Sequence, residues 1–62
     1  MDENVKQMLQ IILHERMKAK AELEIFRFME ATDIRKSYKR KIDELLDRIN
    51  ELSELYEIIK KH

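Results

Sequence analysis

His14 and Glu15 open a pattern that, on a helix, can bind zinc. A second imidazole one turn later would complete the ligand pair, and the glutamate would serve as base. Position 18, where that imidazole belongs, is lysine, and an ammonium group repels a metal ion. His14 is therefore expected on a solvated surface, and no metal site is implied. Ser37 and Ser53 have no histidine close in sequence to accept a proton. The chain also has no glycine to form the tight turn of an oxyanion or phosphate loop. Asp43/Asp47 and Glu51/Glu54 have the spacing of solvated helix faces, and Glu44 can reach Arg48 one turn on. A self-contained enzyme is not expected, and nothing in the chain asks for a cofactor.

One segment is unusual. Arg35-Lys36-Ser37-Tyr38-Lys39-Arg40-Lys41 places five cations in seven residues. The stretch that follows, 43–57, is acidic, with Arg48 as its one base. If a helix begins near residue 33, these cations occupy its positive end, where the macrodipole favours anions. Two explanations stand side by side. Glu30 and the negative end of a preceding helix can lie across the turn from the cluster. Alternatively, Arg35, Lys36, Lys39, Arg40 and Lys41 form a face for an acidic partner or for phosphate.

The elements that must position these residues are legible. Tyr38, Ile42, Leu45, Ile49, Leu52, Tyr56 and Ile59 recur at alternating spacings of four and three. That keeps one apolar seam on one helix face and requires a second helix against it. Val5, Met8, Leu9, Ile12, Ala19, Leu23, Phe26 and Met29 form a rougher stripe upstream, interrupted by Arg16. Between the two lies Ala31-Thr32-Asp33, with Thr32 and Asp33 suited to cap a helix start. We expect helix 1 at about 3–30, a turn at about 31–33 and helix 2 at about 33–60.

Folding back at Thr32 brings Phe26 to Tyr38, Leu23 to Ile42, Ala19 to Leu45, Ile12 to Leu52, Leu9 to Tyr56 and Val5 to Ile59. It also brings Arg16, Lys18 and Lys20 level with Asp43, Asp47 and Glu51. The expected fold is all-α, an antiparallel helical hairpin with arms ~40 Å long. One continuous helix of ~90 Å in a parallel coil is the rival geometry. The irregular first stripe disfavours it.

Sixty-two residues form one domain, residues 1–62, too small to bury a generous core alone. With no cysteine there is no disulfide staple, so a second chain is the expected remedy. Ile11, Leu13, Met17, Ile25, Phe28, Leu46, Leu55 and Ile58 lie beside the seam. Leu13, Met17, Phe28, Leu46, Leu55 and Ile58 are the expected interface of a homodimer, a four-helix bundle. The 13 basic and 13 acidic residues cancel, so net charge selects no class of partner. No apolar run approaches membrane-spanning length. Asp2 and Glu3 after Met1 oppose a secretory leader, and a cytoplasmic location is expected.

Ile42-Asp43-Glu44-Leu45-Leu46-Asp47 resembles the Leu-Asp-x-Leu-Ile-Asn stretch of the short sporulation-regulatory aspartyl-phosphate phosphatases of bacilli. These are helical hairpins of similar length. The resemblance covers some thirty residues, close over these six, and Arg16 matches a basic residue common in the family's first helix. Lys39-Arg40-Lys41 stand where the family has Ser-Gln-Glu, and the glycine usual in its turn is absent. The resemblance implies a protein that docks on a phosphorylated response regulator and promotes hydrolysis of its aspartyl phosphate. Asp43 would orient or specify rather than attack, and the cations at 39–41 would face the acidic phosphoacceptor pocket. A nucleic-acid-binding hairpin dimer and a purely structural coiled-coil module are the alternatives. Plasmid copy-number proteins that bind paired RNA loops share the shape and length, without a shared motif.

Overall fold

The computed structural model describes residues 2–33 and 37–61. They form two α-helices, α1 (Glu3–Thr32) and α2 (Lys39–Lys60), packed antiparallel as a hairpin. No described helix is long and apolar enough to cross a membrane. The hairpin measures 49 × 14 × 10 Å, so its long dimension is essentially that of α1, ~45 Å at 1.5 Å per residue.

α1 starts where a short acidic side chain can stand in for a missing helical acceptor. The Asp2 carboxylate accepts the Asn4 N–H at 3.1 Å, and Glu3 adds a negative charge at the positive end of the helix dipole. With no glycine or proline to interrupt it, α1 runs for 30 residues.

The turn differs from the sequence expectation. Thr32 and Asp33 do not start α2; they finish α1. The Thr32 hydroxyl donates to the carbonyls of Phe28 and Met29 at 3.0 and 3.1 Å. The Asp33 N–H donates to the same Met29 carbonyl at 2.9 Å. The Thr32 side chain thus bonds back to carbonyls of the preceding turn, as a helical threonine can, while Asp33 closes the helix with its backbone N–H. Asp33 then leaves the helix at φ −130°, ψ 90°, and α2 begins at Lys39 rather than near residue 33.

α2 has no side-chain cap of its own at Tyr38. Its start is held from across the turn, where Glu30 accepts the Tyr38 N–H at 3.0 Å. The Ser37 hydroxyl takes the Lys39 N–H at a longer 3.4 Å. Glu30 thus places a carboxylate at the positive end of α2, beside the first-turn cations. At the far end, Lys60 lies over the Tyr56 ring, 5.9 Å from its centroid.

The seam follows the anticipated register. Phe26 and Tyr38 close the turn end, ring centroids 5.5 Å apart and tilted by 48°. Ala19, Leu23 and Leu45 form the buried cluster, with Phe26, Ile42 and Ile49 packed on it. Ala19 supplies no bulk, so Leu45 can approach the α1 backbone. Leu9 and Ile12 are buried towards the open end. Between these regions Arg16 replaces an apolar layer, and its Nη1 donates to Ser53 Oγ at 3.3 Å.

Two expectations are corrected. Met8 and Met29 stand outside the seam, 48% and 36% exposed, because Leu9 and Glu30 occupy the inward positions next to them. The cations of α1 also find other partners: Arg16 takes Ser53, and Lys18 takes Glu15 on its own helix at 3.6 Å. An ion pair between the helices runs the other way, from Glu15 Oε2 to Arg48 Nη2 at 3.6 Å.

Candidate functional site

Two helices packed along one seam expose two long flanks, each built from both. In each helix the inward positions alternate at spacings of three and four, so the residue just before each lies on one side and the residue just after on the other. The structure fixes which sides match. Glu15 and Arg48, each one before an inward position, meet across the hairpin, so the "before" positions of both helices share a flank.

That first flank carries Met8, Ile11, Glu15, Lys18, Glu22, Ile25 and Met29 from α1. From α2 it carries Lys41, Glu44, Arg48, Glu51, Leu55 and Ile58. The second flank carries Leu13, Met17, Lys20, Glu24 and Arg27 from α1, with Lys39, Asp43, Leu46, Asn50, Ser53 and Glu57 from α2.

The sequence-predicted residues divide between these flanks. Leu13, Met17 and Leu46 share the second flank. Leu13 is half-buried, while Met17 and Leu46 are exposed. Leu55 and Ile58 belong to the first flank, and Phe28, 69% exposed, faces away from α2. The six residues expected to form one interface therefore occupy three surfaces. A seam-first reading of sequence finds apolar residues beside the core but does not say on which side of it they stand.

The three described members of the cation cluster, Lys39, Arg40 and Lys41, are likewise divided. Consecutive helix residues diverge by ~100°, so Lys39 lies on the second flank, Arg40 outward and Lys41 on the first flank. Arg40 Nε is 3.8 Å from Glu44 Oε1, with its side chain almost fully exposed. Arg35 and Lys36 lie outside the described residues. Among the described residues, Lys39, Arg40 and Lys41 thus do not share one face of α2.

Asp43 sits one turn into α2. With Ser37, Lys39, Arg40, Glu44 and Asp47 it lines a shallow surface depression of about 520 Å³. Its walls carry both signs of charge, so it suits a polar protein surface better than a free anion. A second depression of about 430 Å³ lies on the outer face of α1, lined by Gln7, Gln10, Ile11, His14 and Glu15. Glu15 there is committed to Lys18 and Arg48. Among the described residues no group of three His, Cys, Asp or Glu side chains converges to hold a metal ion.

Sequence reasoning anticipated Glu30 beside the turn but not the bond it makes. It missed the Glu15–Arg48 bridge, although each residue's position one step before the inward seam signals it. Comparison with protein-family models, with curated proteins and with solved structures found no match.

Proposed function

We propose that this chain is a small cytoplasmic regulatory protein that acts by protein–protein contact through its second flank. The observation that carries this is the grouping of Leu13, Met17 and Leu46 with Lys39 and Asp43 along one side of the hairpin. An apolar strip with charges at its end is the usual composition of a helix-docking surface: the apolar groups supply affinity and the charges fix orientation.

In its most specific form, the partner is a phosphorylated response regulator, and docking promotes loss of its aspartyl phosphate. The resemblance over Ile42–Asp47 and the exposure of Asp43 on that flank support this form. In the reaction, water attacks phosphorus and the receiver's own carboxylate is the leaving group. The hairpin supplies no nucleophile. Asp43 acts by orienting groups of the receiver, and Lys39 and Arg40 face acidic residues around its phosphorylation site.

The test uses purified receiver domains phosphorylated by acetyl phosphate, with phosphate release followed in time. The parent chain is expected to shorten the phosphoryl lifetime on its cognate receiver, and Asp43→Ala to lose that effect with helix content unchanged. A parent chain without effect on any receiver overturns the phosphatase form. A Met17→Lys/Leu46→Lys chain that acts as the parent does overturns the placement on the second flank.

A further inference from the structure

The first flank has a symmetry that the second lacks. Along α1 it runs Met8, Ile11, Glu15, Lys18, Glu22, Ile25, Met29, which reads the same from either end: two apolar residues, acid, base, acid, two apolar residues. About a twofold axis through its middle, near Lys18, such a strip sets apolar residues on apolar residues at both ends, while its charged centre sets Lys18 on Lys18 and Glu15 on Glu22. Turned about that axis, Met8 meets Met29 of the second copy and Ile11 meets Ile25.

α2 obeys the same axis. Glu15 and Arg48 are level, as their ion pair shows, so the axis crosses α2 between Glu44 and Arg48. The rotation then sets Glu44 opposite Arg48 of the second copy, and Lys41 opposite Glu51. Each contact occurs twice and each pairs opposite charges. In the central belt, Glu15 already holds Lys18 and Arg48 in each copy, so the Glu15 and Glu22 carboxylates that approach one another do so among four cations.

The apolar ends also fit. Leu55 and Ile58 lie on this flank beside Met8 and Ile11 at the open end of the hairpin, and Ile25 and Met29 lie at the turn end. The rotation lays the open end of one copy on the turn end of the other. Two separate apolar clusters result, one at each end of the charged belt. Ile11 and Ile25, 62% and 56% exposed in the single hairpin, become covered.

We propose that a second copy of this chain occupies the first flank, with α1 antiparallel to α1, forming an isologous four-helix bundle. The apolar strip Met8, Ile11, Ile25, Met29, Leu55 and Ile58 is its interface. The opposition of Lys41 to Glu51 and Glu44 to Arg48 sets the register. The second flank, with Leu13, Met17 and Leu46, stays open to the partner, so this inference stands whether or not the receiver reading survives.

Sedimentation equilibrium on the full chain tests it. The parent is expected to be a dimer across the micromolar range, and Met17→Lys/Leu46→Lys is expected to remain one. Ile11→Lys/Ile25→Lys is expected to lose the dimer. A monomeric parent, or dissociation by the second-flank pair alone, overturns the proposal. Because a lysine pair on α1 can unfold a hairpin that depends on its dimer, a second measurement uses the absence of native cysteine. Lys18→Cys lies at the twofold axis and is expected to form a disulfide-linked dimer under mild oxidation, while Lys20→Cys on the other flank is not. Equal cross-linking of the two variants, or faster cross-linking at position 20, overturns the proposal.

Discussion

Glu15 bridges the hairpin to Arg48 at 3.6 Å with one carboxylate oxygen while the other lies 3.6 Å from Lys18 on its own helix. This one side chain ties the two helices together on the first flank and marks which surface residues of α1 and α2 are neighbours. Its energetic weight is modest. The Glu15 side chain is about one-third exposed and Arg48 about half, a setting in which ion pairs contribute ~0.2–1 kcal/mol. A double-mutant cycle on Glu15→Gln and Arg48→Gln should return a coupling in that range, falling as salt is added. A coupling of zero at low salt would mean the pair does not hold the register.

The core is narrow and therefore sensitive. Leu23 and Leu45 are buried in contact with Ala19, and truncating either to alanine should cost ~2–5 kcal/mol. A domain of this size has only ~3–5 kcal/mol to lose. Either Leu23→Ala or Leu45→Ala should therefore leave the chain largely unfolded by far-ultraviolet circular dichroism near 37 °C. Leu46→Ala, one residue away but exposed, should change stability by no more than ~0.5 kcal/mol.

Glu30 is expected to govern the start of α2. Its carboxylate takes the Tyr38 N–H at 3.0 Å where α2 has no cap of its own. Glu30→Ala should cost ~1 kcal/mol and raise the exchange rate of the Tyr38 amide above those of the α2 interior. Unchanged exchange at Tyr38 would place the cap elsewhere.

Lys39 opposes the dipole of the helix it begins, and under the proposed function it acts through contact with the partner. Lys39→Glu should raise the stability of the hairpin by ~0.3–1 kcal/mol at low salt and weaken docking to a phosphorylated receiver. A variant that is both more stable and equally active would assign Lys39 to the solvent.

Much of the fold was legible because it is written in spacing. The run from Tyr38 to Ile59 admits one inward face, and the pairing of Phe26 with Tyr38 and of Ala19 with Leu45 follows from folding back near Thr32. The turn itself was misplaced. Threonine and aspartate carry hydrogen-bonding groups suited to either helix end, and only the three-dimensional position of Phe28 and Met29 shows that Thr32 closes α1 instead of opening α2. Met8 and Met29 were assigned to the seam because apolar character does not distinguish an inward position from the one before it. The same limit merged two flanks into one interface. Leu46 and Leu55 look equivalent in composition, yet they stand on opposite sides of Leu45, Ile49 and Leu52. Which of the candidate docking residues share a side of the hairpin needed the contact between Glu15 and Arg48.

The division of the surface into a self-associating flank and an open flank is tested most directly by nuclear magnetic resonance on the isolated chain with a soluble paramagnetic agent. Relaxation of side-chain methyl groups reports which are reached by solvent. Ile11, Ile25, Met29 and Leu55 are expected to be shielded well beyond their exposure in a single hairpin, while Met17 and Leu46 relax as freely accessible groups. Equal accessibility of the two sets, or shielding confined to Met17 and Leu46, would contradict the account.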